Sequence, residues 1–489
     1  MNFESLLIEV INKKNHEELI EFIGNHRSDF FSLPSIKTYY DLLKPISFTD
    51  DESMLTIAWM AVLSGDNMKV YTYAEGINKD NLSYMSKAFF YQLKALSGIF
   101  GSTDERMVYS EKSLKMFDKN DTSFYHGNAY LTHGQILVGF QRIREGADAF
   151  FKAYQIFMQN DKLFPASVAM TNALLNWFRL GEFSKLLKKG EQALLIASSF
   201  KESEHLYWNV ISLPIGMCYV EQYKLNIAVE HLKKAYDAIA KMNLIHMHGY
   251  VEIYLIKAYH LLKDKDNLSK VIEEAQKTFA NMHYAMMQLI ILYGKILRDG
   301  DLAEADIERL ETIYTQDDKL QPLLIEMMCA LYQKNMSMIL DIETIESYIQ
   351  KSRYEGDLVN LSTQLLCLAD RYYKDDELHK CEAILEEVIE LYHKHNLKAN
   401  FYMYDYSLWP MIHKMDPTIK SLDENETLLT NKEKDVIELI AQGKSNQEIA
   451  KILFISVGTV KWHINHILSK LYAKNRIEAI EIAKQKKII

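Results

Sequence analysis

The feature that most limits the fold of this chain is a texture that returns every ~40 residues. From position 50 to position 415 or so, runs of roughly 15 residues carry apolar side chains three and four positions apart. Each run ends in a short polar or glycine-containing break, and a second run of the same kind follows. Spacing of three and four gathers apolar side chains on one face of a helix. Each unit is therefore expected to be a pair of amphipathic helices joined by a tight turn. The breaks inside the pairs fall near Gly65, Gly101, Gly139, Gly181, Tyr223, Asp264, Gly300, Asn335 and Lys374. One hairpin cannot cover its own apolar face, so the units are expected to stack into a helical solenoid. Composition agrees: glycine (18) and proline (7) make up about 5% of the 489 residues, against a usual share of about 12%. That is too few for the tight turns of an all-β sandwich or barrel. The expected class is all-α.

The clearest single unit runs from Asn172 to Leu194. Its Trp177, Leu180 and Gly181 resemble the W-x-x-L-G piece of the tetratricopeptide repeat, and Ala193 takes a small-residue position in that pattern. Gly181 lets the chain turn sharply, and Ala193 lets two helices approach closely. Other units match loosely, as at Ala58-Trp59 with Leu63 and Gly65. The period exceeds the usual ~34 residues, as in the degenerate arrays of large bacterial regulators. Residues 1–50 read as helical and then irregular around Pro34 and Pro45, in the place of a cap on the array. Residues 1–415 are thus expected to form a repeat domain that senses an effector or binds a partner. Residues 416–427, DPTIKSLDENET, lack apolar periodicity and read as a linker. Residues 428–489 remain as a separate domain.

The net charge of −10 argues against a nucleic-acid partner if it is evenly spread. It is not. Residues 428–489 hold 11 Lys and Arg against 6 Asp and Glu, a net of +5. Of the 56 Lys and Arg and 66 Asp and Glu in the whole chain, residues 1–427 keep 45 and 60, a net of −15. A small basic unit on an acidic chain is the electrostatic footprint of a nucleic-acid-binding module.

Capping chemistry divides that segment into four short helices. Thr430 with Glu433, and Ser445 with Glu448, have capping-box spacing. Ser456 is placed to cap a helix from Val457, and Asn475 with Glu478 opens the last one. Gly443 stands where the first helix needs a left-handed terminator. The second and third helices are joined by a tight turn from Phe454 to Ser456, which is helix-turn-helix anatomy. On the third helix Val460, Ile464, Ile467 and Leu471 share one stripe, with Leu468 at its edge. The opposite face carries Trp462, Asn465, His466 and Ser469, with Thr459 and Lys461 on its flanks. A helix with an apolar back and a polar, partly basic front suits the DNA major groove.

Many of these residues resemble the LuxR-type (GerE/FixJ) DNA-binding domain at once: Leu429-Thr430, Glu433, Gly443, Ser445-Asn446, Glu448-Ile449-Ala450, Ser456, Thr459-Val460-Lys461, His463, Lys470-Leu471, and Arg476 with Glu478-Ala479. The resemblance takes in nearly the whole of the basic segment. It implies that the helix from Val457 reads bases through Lys461, Trp462 and Asn465, and that the last helix, Arg476 to about Gln485, makes a dimer contact. Ser456, Thr459, His463, Ser469, Asn446 and Gln447 complete the expected DNA-binding set, mostly toward phosphate. Lys432 replaces a common arginine, Gly458 loosens the first turn of the reading helix, and Trp462 is large for the groove. The combination of repeats and this domain is similar to the maltose-regulon-type activators, but without their nucleotidase module.

Other chemistry finds no support. Gly443-Lys444-Ser445 imitates the end of a phosphate loop, but Glu438 stands where that loop needs glycine. A phospho-receiver domain is not expected, because Asp50-Asp51 leads into helical texture. His246 with His248, and His393 with His395, sit two apart on helices and point away from each other, so exposed or capping roles are expected. His126 and His133 share a helical face without carboxylate or cysteine partners. No catalytic residues, metal site or cofactor are expected. Cys218, Cys329, Cys367 and Cys381 form no CxxC pair and read as buried reduced thiols. The N-terminus has no signal-peptide pattern. The longest uncharged run, about His205–Val220, is shorter than the ~20 residues of a membrane span and reads as a buried helix. A cytoplasmic location without membrane contact follows. The expected function is a bacterial transcription regulator that binds double-stranded DNA as a homodimer. A small molecule, peptide or protein on the array would control it. The competing reading is a protein- or peptide-binding scaffold whose tail serves assembly.

Overall fold

The same hydrogen-bonded turn closes hairpin after hairpin along the first four-fifths of the chain. The computed structural model describes residues 3–31, 36–96, 103–242, 244–279, 285–300, 302–303, 306–308, 342–403, 407–421, 429, 431–453, 455–471, 473, 475–485 and 489. Among these residues there is no strand. The chain divides into two units, Met1–Tyr406 and Ser407–Ile489.

The first unit begins with four helices, α1 (Phe3–Asn12), α2 (His16–Asn25), α3 (Arg27–Phe30) and α4 (Ile36–Leu43). Hairpins follow: α5 (Asp51–Leu63) with α6 (Asn67–Gly76), α7 (Tyr84–Leu96) with α8 (Thr103–Leu114), and α9 (Phe124–Gly139) with α10 (Ile143–Gln159). Then come α11 (Leu163–Arg179) with α12 (Phe183–Ala197), and α13 (Glu202–Trp208) leading to α14 (Ser212–Glu221) with α15 (Leu225–Lys241). The series continues with α16 (Ile245–Leu261) and α17 (Lys265–Phe279), α18 (Ala285–Asp299), α19 (Ile342–Glu355), and α20 (Leu358–Lys374) with α21 (Leu378–His395). The short α22 (Ala399–Tyr402) ends it. Helices pack on their sequence neighbours, and first helices also meet the first helix of the next hairpin, as with α5 and α7, α7 and α9, α14 and α16.

At the hairpin turns, and at the end of α18, one residue takes a left-handed backbone: Gly65 (φ +76°), Gln141 (+63°), Gly181 (+64°), Tyr223 (+60°), Lys263 (+56°) and Asp376 (+60°) at turns, and Gly300 (+80°) after α18. In most of them the next residue then donates its N–H to a carbonyl five positions back. Asp66 reaches Ala61, Arg142 reaches Leu137, Glu182 reaches Trp177, Lys224 reaches Tyr219, Asp264 reaches Tyr259 and Glu377 reaches Tyr372, all at 2.8–2.9 Å. This is the Schellman closure, which satisfies carbonyls a helix end leaves open. The expected breaks at Gly65, Gly181, Tyr223 and Gly300 coincide with the left-handed residue. Elsewhere the position moves: Gly139 is the last helical residue of α9 and Gln141 makes the turn. A left-handed backbone costs a side-chain-bearing residue roughly 1–2 kcal/mol, so four of these turns draw on the closure bond rather than on glycine. The expected breaks at Gly101 and Asn335 lie outside the described residues, as does Pro34.

The uncharged run around Pro214 is buried but is not one helix. α13 ends at Trp208, a single 3₁₀ turn spans Asn209–Ile211, and α14 restarts at Ser212. Pro214 has no N–H for the Val210 carbonyl, and its ring crowds that carbonyl. The restart absorbs both effects. α14 then buries nine of its ten residues.

The array also doubles back on itself. Residues from the α19–α20 junction to the end of α22 lie along turns of four earlier hairpins. The Gln141 side chain donates to Glu355 (3.0 Å), and Arg179 donates to Glu355 (2.7 Å) and Asp357 (2.8 Å). His395 Nδ1 lies 3.2 Å from the Gly181 carbonyl, and the Lys398 amide donates to the Glu221 carbonyl at 2.8 Å. Tyr402 packs near Tyr223, with ring centroids 4.8 Å apart, and His260 Nε2 lies 3.2 Å from the Met403 carbonyl. Enclosure on several sides is visible in α20, where twelve of seventeen residues are buried. Asp357 is 3% exposed and also caps α20 by accepting from the Asn360 amide.

Two details depart from the sequence reading. His248 is neither exposed nor capping: it is buried, with Nδ1 2.9 Å from Glu252 Oε1. Burial raises the Glu252 carboxyl against the opposing pull of that histidine. Cys218 and Cys381 are free and buried, but Cys367 is disulfide-bonded, which corrects the reading of four reduced thiols. Spacing alone gave no cue to that bond, and Cys329 lies outside the described residues. Among the described residues, no His, Cys, Asp and Glu group has the form of a metal site, and no helix is long and apolar enough to cross a membrane.

Arg179→Met removes the partner of a buried carboxylate. Breaking such a pair costs about 3–5 kcal/mol, toward the lower end here because Arg179 keeps 31% exposure. Thermal unfolding of the full chain should show the Met1–Tyr406 transition shifted to lower temperature, with the second unit unchanged.

Candidate nucleic-acid interface

The second unit opens with α23 (Trp409–Met415), in which Met411 and Ile412 are buried, and an Asp416 turn that accepts from the Thr418 amide and hydroxyl. Residues 422–427 of the expected linker lie outside the described residues. Four helices follow: α24 (Asn431–Ala441), α25 (Asn446–Leu453), α26 (Val457–Lys470) and α27 (Arg476–Gln485). They enclose one core of Leu429, Val436, Ile437, Ile440, Ile449, Ala450, Val460, Ile467, Leu471, Ala479 and Ala483. Ile464 and Leu468 pack at its margin. The stripe expected on α26 is therefore its inner face.

Local bonds fix the junctions between these helices. Gly443 ends α24 with φ +80°, and the Lys444 amide donates to the Leu439 carbonyl at 3.1 Å. Ser445 and Glu448 form the reciprocal cap of α25. The Ser445 amide and hydroxyl both donate to Glu448 Oε2 at 2.7 Å, and the Glu448 amide donates to Ser445 Oγ. The Ser445 amide, then its hydroxyl, hold the Glu448 carboxyl below its ordinary range. Gly443-Lys444-Ser445 is thus a helix-to-helix turn, not a phosphate loop. The Ile455 amide closes the α25–α26 turn on the Ala450 carbonyl at 3.0 Å. Ser456 Oγ caps α26 by accepting from the Thr459 amide at 3.0 Å and lies 2.8 Å from Thr459 Oγ1. Asn475 Oδ1 caps α27 through the Ile477 and Glu478 amides, both at 3.0 Å. The Thr430 part of the first expected cap, and Phe454, lie outside the described residues.

The positions expected to touch DNA fall at two helix starts and along α26. Ser456 is exposed and Thr459 half-buried at the start of α26; Lys461 is exposed one turn on, and His463 is half-buried. At the start of α25, Gln447 is exposed and Asn446 half-buried, its Oδ1 shielded and without a hydrogen-bond partner. Trp462, Asn465 and Ser469 lie on α26, but their side chains are outside those described, as is that of His466. Each helix start carries the positive end of the helix dipole, which suits phosphate. One bond had no signature in the reading of this face: Arg476 Nη2 donates to the Lys444 carbonyl at 2.9 Å, tying α27 to the turn that opens α25. Arg476 stood in the family resemblance only as part of the last helix.

By its helices and turns this second unit carries a helix-turn-helix domain. Residues 427–483 match a family model described as bacterial regulatory proteins, luxR family. The domain is of that family. The chain is 55% identical over 58 residues to the transcriptional regulatory protein DesR of Bacillus subtilis, covering 12% of this chain and 29% of that protein. It is 42% identical over 76 residues to the response regulator protein VraR of Staphylococcus aureus and of Staphylococcus saprophyticus, covering 16% of this chain and 36% of theirs. The chain therefore spans about a third of the length of these curated relatives.

Gly458 is exposed in the first turn of α26 without a left-handed backbone, and a Cβ there would meet only Ser456 Oγ at 3.5 Å. Gly458→Ala should raise the stability of the second unit by about 0.5–1 kcal/mol, read as a rise in its denaturant midpoint.

Proposed function

We propose that this chain is a transcription regulator that binds double-stranded DNA through its helix-turn-helix and is controlled through its helical array. The observation that carries the reading is α26, a capped helix with a buried apolar back and an exposed Lys461 on its flank, inside a segment that matches the luxR family model. α26 enters the major groove, where Lys461 donates to guanine O6/N7 and Asn465 pairs with an adenine edge. Trp462 packs on a thymine methyl or a sugar. Ser456, Thr459, His463 and Ser469, with Asn446 and Gln447 at the start of α25, serve the phosphate backbone. The +5 charge of residues 428–489 supports this assignment.

Two copies meet on DNA through α27. Ile477 on that helix is 68% exposed, an apolar side chain in the place where a second copy would cover it. Two copies related by a two-fold axis read two half-sites of a near-palindrome. The hairpin array, read as tetratricopeptide-like, is the effector domain, and its ligand is a small molecule, peptide or protein. Its turns and stacked first helices support that role, since such arrays present extended surfaces to partners.

Selection of bound sequences from a random DNA pool by the full chain tests the reading and supplies the operator. Lys461→Ala should then weaken operator binding by about 1–3 kcal/mol and relax the preference at one base pair of each half-site. Undiminished binding by this variant removes Lys461 from base reading. Ile477→Asp should lower the cooperativity of binding to the two half-sites, and unchanged cooperativity would place the dimer contact elsewhere.

A further inference from the structure

The bond from Arg476 to the Lys444 carbonyl spans 32 positions of sequence and joins the last helix to the start of α25. Both of its ends are held by other bonds. Arg476 is the first residue of α27, and the Asn475 cap fixes the backbone from which its side chain departs. Lys444 lies between the left-handed Gly443 and the Ser445–Glu448 cap, so its carbonyl direction is set on both sides. Those local bonds shape the turn. They do not determine where the turn sits relative to α27. The shared core of Ile449, Ala450, Ala479 and Ala483 brings the helices together, and the guanidinium adds a directed tie to the turn, because its donors leave a rigid plane in fixed directions and it stays charged at all working pH values.

We propose that Arg476 is a positioning residue for DNA binding: through Lys444 it sets where the N-terminus of α25 meets the phosphate backbone, and so links the last helix to the phosphate contact. The inference rests on the DNA-binding reading above. In helix-turn-helix docking the first helix of the pair crosses the backbone while the second enters the groove. Here that first helix is α25, and its amides at Asn446 and Gln447 follow directly on the turn that Arg476 holds. A shift of α27, such as one imposed when a second copy covers Ile477, is carried by this bond to the α25 start.

The test uses the full chain carrying Arg476→Met or Arg476→Lys. Two quantities are measured: amide hydrogen exchange of residues 443–448 without DNA, and operator affinity over a series of salt concentrations. Arg476→Met should speed exchange across 443–448, weaken binding several-fold at fixed salt, and make the salt slope shallower by about one for each phosphate no longer engaged. Arg476→Lys keeps the charge and one donor of similar reach, and should recover most of both quantities. Unchanged exchange in Arg476→Met overturns the proposal and assigns any affinity loss to a direct phosphate contact by the arginine. Faster exchange with unchanged affinity and slope also overturns it, since the turn then does not act on DNA. If Arg476→Met loses the melting transition of the second unit, the lysine variant decides: weakened binding with wild-type exchange refutes the positioning role. A wild-type chain that selects no DNA sequence refutes the functional reading itself, and the exchange result then reports the bond's effect on the turn alone.

Discussion

A stacked row of helical hairpins normally has contacts only between neighbours, so its ends are free to open or bend. Here Arg179 removes that freedom. Its guanidinium bridges Glu355 and Asp357, far along the sequence, across the turn of the α11–α12 hairpin. Asp357 is nearly sealed from water, and a buried carboxylate is tolerated only when paired and hydrogen-bonded. The same carboxylate caps α20, so one side chain starts a helix and fastens it to a distant hairpin. The remaining contacts of the returning segment, from His395 to Met403, follow along the neighbouring turns. This return covers part of α20, whose other buried faces lie against α19 and α21.

The two units are held by different kinds of interaction. In the first, the hairpin turns are local but the fold-back is not, and its contacts join residues up to 214 positions apart. In the helix-turn-helix domain nearly every junction is closed between near neighbours in sequence, by Gly443, by Ser445 with Glu448, by Ser456 with Thr459, and by Asn475. Short-range closure gives this small unit sharp helix limits around a modest core.

That contrast explains what could be read from the sequence. Caps and left-handed glycines act over a few positions, so Ser445, Ser456, Asn475 and Gly443 announced the helices of the second unit, and periodicity on α26 identified its inner face. Hairpin turns were legible to within a couple of positions, and the misplacements have a physical cause. Gln141, Lys263 and Asp376 take a left-handed backbone with no glycine to mark it, because the closure bond from the following residue offsets the strain. Gly139, which looked like a turn, belongs to the helix. The fold-back was not legible, since neither the charge of Arg179 nor that of Asp357 names its partner. The disulfide at Cys367 was hidden for the same reason, whereas His248 and Glu252 stand four apart on one helix and only their burial went unread. On the face proposed to meet DNA the sequence pointed to exposed polar side chains, but not to the Arg476 bond, whose partner is a backbone carbonyl without side-chain identity.

The return of the chain also makes the array a counted object. Open repeat proteins can add or drop units by duplication and deletion, because each hairpin meets only its neighbours. In this chain an extra hairpin between His260 and Glu355 would carry every later contact one step out of register. Glu355 would miss Arg179, His395 would miss Gly181, and Met403 would miss His260 together. Evolution can vary the side chains that line this array far more freely than the number of hairpins it contains.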